Sequence, residues 1–221
     1  MSPYSRPPLE SRIHRDADGD VIEYGRRWTD VDPPAEAYSA TSNLDRYRPL
    51  QAVADALIAH LRDQYRVHIE EDPRYAEDLM HHRDDVERAV RVVPRGRAGA
   101  TLTFVYTSFP SVIVHAGALH DFLYPVCGCD ACDEDVARLA DEMEWQVRAI
   151  AAGGYRERLD PSLELGVGFS LADPAVGSTS GTTRAVDLPR ARLENAAAML
   201  PPGGRWAAWP PAGPSLTTRS R

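Results

Sequence analysis

Arg88-Ala89-Val90-Arg91-Val92-Val93-Pro94, then Leu102-Thr103-Phe104-Val105-Tyr106, then Val112-Ile113-Val114-His115-Ala116: three short β-branched and aromatic runs follow one another with no helix between them. That succession decides the fold class. The first run alternates and stops at Pro94, which has no N–H to give to a ladder. In the second, Leu102, Phe104 and Tyr106 share one face, as period-two geometry requires. The third is joined to it by Ser108-Phe109-Pro110-Ser111, a hairpin connection, and residues 94–99 connect the first two. The reading is an antiparallel meander.

Helical periodicity brackets this region. Leu50, Val53, Leu57, Leu61 and Tyr65 form one apolar stripe over about 46–65, and Val136, Leu139, Met143, Val147 and Ile150 form another over about 133–152. Gly153-Gly154 supplies the second helix with its stop. Further strand candidates lie at 66–70, 155–159, 163–170 and 183–188, and a short helix follows Pro189. Strands that cluster rather than alternate with helices imply an α+β fold. We expect one antiparallel sheet of five or six strands packed on the two main helices, within a single domain spanning 43–200. Residues 1–42, punctuated by Pro3, Pro7, Pro8, Pro33 and Pro34, read as an irregular arm. Residues 201–221 read as a Pro/Gly-rich flexible tail, although Trp206 and Trp209 could anchor it. Ser178-Thr179-Ser180-Gly181-Thr182-Thr183 carries no Walker lysine and reads as a flexible loop.

Chemistry concentrates at Tyr124-Pro125-Val126-Cys127-Gly128-Cys129-Asp130-Ala131-Cys132-Asp133-Glu134-Asp135, where all three cysteines fall within six positions. Three thiolates and one further ligand would satisfy tetrahedral zinc with bonds of about 2.3 Å, and their sulfurs would then lie about 4 Å apart. Candidate fourth ligands are His120, His115, Asp130 and Asp133. His120 is favoured because seven residues let the chain fold back to Cys127. A second reading takes Cys129-Asp130-Ala131-Cys132 as a redox C-x-x-C at a helix start, where the dipole favours a thiolate. The acidic residues around it oppose that, because negative charge raises a thiol pKa. The third reading is plain packing: small buried cysteines, with Asp133 capping the helix. His81-His82 are adjacent on a polar stretch and point about 100° apart if helical, so they read as surface residues.

Composition bounds the rest. The chain has 221 residues, 43% hydrophobic and 26% charged, with a net charge of −8. An acidic surface disfavours a nucleic-acid partner. No apolar run is long enough for a membrane span or a secretory leader, so a cytoplasmic chain with reduced thiols is expected. All 25 basic residues are arginines scattered along the chain, which suggests codon bias rather than a binding surface.

The blocks Tyr24-Gly25-Arg26-Arg27-Trp28, Tyr38-Ser39, Arg46-Tyr47-Arg48-Pro49-Leu50 and, most specifically, Pro125 to Glu134 resemble a bacterial family classed as a domain of unknown function. The resemblance runs from about 20 to 190 and implies that these blocks belong to one fold, with no activity to carry over. The sequence therefore supports a metal-stabilised (zinc) binding or interaction module with Cys127, Cys129, Cys132 and His120 as ligands, partnered by a protein or by its own copies. The alternative is a thiol-dependent redox enzyme or sensor using Cys129 and Cys132.

Overall fold

The computed structural model describes residues 4–9, 12–96, 98–159, 166–184 and 187–213. After an irregular arm, α1 (Pro49–Gln64) starts with Pro49 in the first turn, where a missing N–H costs nothing. It buries Leu50, Val53, Ala54, Leu57, Ile58 and Leu61 along one face. Five strands follow: β1 (Val67–Glu71), β2 (Val86–Pro94), β3 (Leu102–Thr107), β4 (Val112–Ala116) and β5 (His120–Tyr124). They form one antiparallel sheet in sequence order. α2 (Val136–Ala151) then packs beside α1, burying Leu139, Met143, Val147 and Ile150. The helices cover the face that carries Val90, Val92, Leu102, Phe104, Val114 and Phe122, and together they make the main core.

The α+β class read from the sequence is the one observed, but the strands divide between two sheets. β6 (Tyr155–Leu159), β7 (Val167–Asp173) and β8 (Gly177–Thr183) form a separate antiparallel sheet. β8 occupies the stretch expected to be a loop. Its Gly, Ser and Thr side chains bury little, so no apolar period announced it. β5 was likewise not anticipated. The strand candidate at 163–170 begins at Val167 as described, with 163–165 outside the described residues. That at 183–188 includes 185 and 186, which also lie outside them. α3 (Arg190–Met199) matches the expected short helix.

The C-terminal stretch differs most from its expectation. Residues 201–213 are docked rather than flexible. Trp206 and Trp209 are buried; Trp206 Nε1 donates to Glu157 Oε2 at 2.8 Å and Trp209 Nε1 to the Ala100 carbonyl at 3.0 Å. The backbone is tied down as well, through Trp206 N to Tyr155 O, Ala207 N to Ala98 O and Arg66 N to Pro210 O. Proline and glycine kept this strap from periodic structure, yet the two indoles supply the anchor. Residues 214–221 lie outside the described residues. Among the described residues, no helix is long and apolar enough to cross a membrane.

Candidate metal centre

Between β5 and α2 the chain turns through the cysteine block, and the acidic residues that surround the sulfurs build that turn. Glu134 is the organiser. Its carboxylate accepts from the backbone N–H groups of Val126 (2.8 Å), Cys127 (3.1 Å) and Gly128 (2.7 Å). Gly128 has φ 81°, and a side chain there would meet the Phe109 ring at 2.6 Å. Asp135, rather than Asp133, caps α2 by accepting from Arg138 N at 2.9 Å. Asp133 instead sits at φ 48° and turns its Oδ2 to the Arg27 N–H at 2.8 Å. Asp130 accepts from Ser42 N at 2.8 Å.

These bonds also seat the N-terminal arm. Trp28 Nε1 donates to Asp130 O at 3.0 Å, while Asp130 N and Ala131 N donate to Ala40 O and Ala37 O. Trp28, Ala37, Cys129 and Ala131 form a small apolar cluster of their own. The arm is irregular, but its segment 24–43 is laced to the cysteine turn.

The three sulfurs converge. Cys127, Cys129 and Cys132 are free thiols whose Sγ atoms lie within 4.8 Å of one another, Cys129 buried and the other two exposed. Burial pushes the Cys129 thiol up, but the Cys132 and Ala131 backbone N–H groups and the neighbouring thiols donate to its sulfur, and its pKa falls below the ordinary value. Hydrogen bonding to Cys129, with burial, pushes Cys132 up to about 12. A sulfur whose pKa is lowered by donors, beside a thiol pushed up by that same sulfur, is a place where a divalent cation could substitute for protons.

His120 does not join them. The close set contains three sulfurs and, among the described residues, no histidine or carboxylate. His120 opens β5 on its core side, stacked on Phe169 at a centroid distance of 3.7 Å and edge-on to Phe122. Four strand steps of about 3.3 Å each carry the chain from it to Tyr124, so the expected fold-back is blocked by β5 itself. Burial pulls its pKa down to about 4. His115 is paired with Asp121 across β4 and β5. Asp130 and Asp133 spend an oxygen each on the arm, although Asp133 Oδ1 is buried with no hydrogen-bond partner. It lines, with Cys132, a cavity of about 400 Å³.

A family of unknown function, DUF6226, matches residues 10–213. The chain belongs to that family. The DUF6226 match takes in the arm, the cysteine turn, both sheets and the docked strap, so all of them are parts of one family fold. No curated protein and no solved structure matches the chain.

Proposed function

We propose that this DUF6226 chain is a metal-stabilised binding or interaction module that holds zinc through Cys127, Cys129 and Cys132. The convergence of the three sulfurs within 4.8 Å carries the reading. A zinc tetrahedron with bonds of about 2.3 Å needs sulfur separations of about 3.8 Å, a small contraction from this arrangement. Soft thiolates select such an ion, and the N–H groups that donate to Cys129 would orient and temper the ligand. Three protein ligands leave one tetrahedral position for water or an incoming group. Bound metal would clamp the turn and, through Trp28, Asp130 and Asp133, the arm laced to it. The redox alternative calls for an acidic, accessible thiol, whereas the acidic one here is buried and the exposed Cys132 is pushed up.

Native mass spectrometry of freshly purified protein tests this directly. One zinc per chain is expected, lost in Cys129→Ser, with chelation lowering the melting temperature of the wild type. Protein that carries no metal and gains no thermal stability from added zinc would overturn the assignment. A Cys129–Cys132 disulfide in that metal-free protein would favour the redox alternative.

A further inference from the structure

The face of the five-stranded sheet turned away from α1 and α2 carries a polar row that the cysteine turn does not use. The register sets Glu70, Arg91, Thr103, His115 and Asp121 side by side across β1 to β5. The neighbouring row on the same face, Ala89, Val105 and Ile113, is apolar and packs under Leu79. An apolar row is therefore compatible with this surface, and burying charged pairs in its place costs desolvation.

The row is organised from both ends. Asp78 receives Arg91 Nε at 2.8 Å, Arg91 Nη2 at 2.5 Å and the Thr103 hydroxyl at 2.6 Å. The Tyr75 ring lies 3.9 Å from the same guanidinium. At the other end, buried His115 donates from Nδ1 to Asp121 Oδ1 at 2.7 Å, and Asp121 Oδ2 accepts from Met80 N at 2.8 Å. A carboxylate on Nδ1–H fixes the ring; Nε2 is then an acceptor in the neutral imidazole and becomes an N–H donor when the ring carries a second proton beside Asp121.

Above the row is a cavity of about 370 Å³, lined by Asp78, by Arg91 and His115 on the sheet, by Thr101 just before β3, and by Arg192 and Asn195 on α3. That volume falls within the range of small-molecule sites, roughly 300–1,000 Å³. Its charges do not cancel. Arg91 is neutralised by Asp78, while Arg192 donates Nη2 to the Leu79 carbonyl at 2.9 Å and has no ion-paired carboxylate among the described residues. A half-buried guanidinium, an amide and an imidazole held by its own carboxylate converge on one small space. Guanidinium with an amide N–H and an imidazolium N–H backed by its own carboxylate is the chemistry that receives an oxyanion.

We propose that this cavity binds a small molecule through an oxyanion, a carboxylate or a phosphate monoester, received by Arg192 and Asn195, with His115 taking up a proton as the anion binds and donating Nε2–H as third partner, and Asp121 as the group that positions the ring. The site is independent of the metal: its residues come from β2, β4 and α3 rather than from the cysteine turn.

The test follows the imidazole ¹H–¹⁵N signals of the full-length protein, with His115 assigned through His115→Gln. Sodium phosphate and glycerol 3-phosphate form one titration series, sodium acetate and succinate the other, and sodium chloride at matched ionic strength the control. A saturable shift of His115 in one or both series is expected, and the responding series identifies the anion. Arg192→Gln should weaken that response by about tenfold or more, whereas Arg190→Gln, whose guanidinium pairs with Glu194 on the same helix, should leave it unchanged. Asn195→Ala serves in place of Arg192→Gln should the latter fail to fold. No saturable shift in either series, a shift that chloride reproduces, or one that survives loss of Arg192 or Asn195 would overturn the proposal.

Discussion

Two irregular, proline- and glycine-bearing segments of this chain look alike in sequence and behave differently as objects of prediction. The cysteine turn at 124–135 is shaped by its own neighbours, with Glu134 gathering N–H groups six to eight residues away and Asp135 capping the helix three residues on, before the arm docks on it. The strap at 201–213 is held by Glu157, Tyr155, Ala98 and Ala100, all of them about 50 residues distant or more. Both lack regular hydrogen bonding, yet both are ordered. Irregular backbone is not mobile backbone when side chains satisfy what the absent ladder would have satisfied.

The sharpest way to break that comparison is to remove the strap. Trp209→Ala should cost about 3–5 kcal/mol as a large core truncation, and deletion of 205–221 should cost more because Glu157 also loses a donor to its buried carboxylate. Denaturant unfolding measures both, and a deletion variant as stable as the whole chain would make the strap dispensable. A smaller effect is expected in the turn. Glu134→Ala leaves three N–H groups without their charged acceptor and should destabilise by about 2–4 kcal/mol. It should also loosen the thiols, read as faster modification of Cys127 and Cys132; unchanged reactivity would mean that the cysteines hold the turn without it.

The smallest effect concerns His120, which belongs to the core and not to the sulfurs. Its folded pKa, about 4, lies below the ordinary value of 6.5, so the unfolded chain takes up a proton first as pH falls. Its contribution is complete above about pH 6.5 and declines toward pH 4, by about 1–3 kcal/mol. Stability measured across that window should flatten in His120→Gln. The same variant should bind cobalt as the wild type does, and a loss of cobalt binding would return His120 to the metal site.

Much of the fold was legible. Leu139, Met143 and Val147 are buried where the helical period placed them, with Val136 only half-buried in the first turn, and β2 to β4 form the expected meander. Convergence of at least two sulfurs was to be expected of three cysteines in six positions, and all three converge. Five residues could otherwise span about 17 Å, so it is the turn built by Glu134 that brings them together. The place of His120 was not legible. Counting seven residues from His120 to Cys127 treated them as loop, but four of them are strand, and a strand separates its ends.

Local order is what this sequence determined by itself: which residues face inward on α1 and α2, and that three thiols share one turn. Each depends on residues within about a helical turn or two, whose geometry the backbone period transmits directly. The tertiary structure decided the rest. Division of the strands into two sheets, the docking of Trp206 beside buried Glu157 and the alignment of Arg91, Thr103, His115 and Asp121 all arise between segments far apart in the chain. No period in the sequence marks such partners, because their pairing is selected by the free energy of the assembled core and not by any neighbour along the backbone.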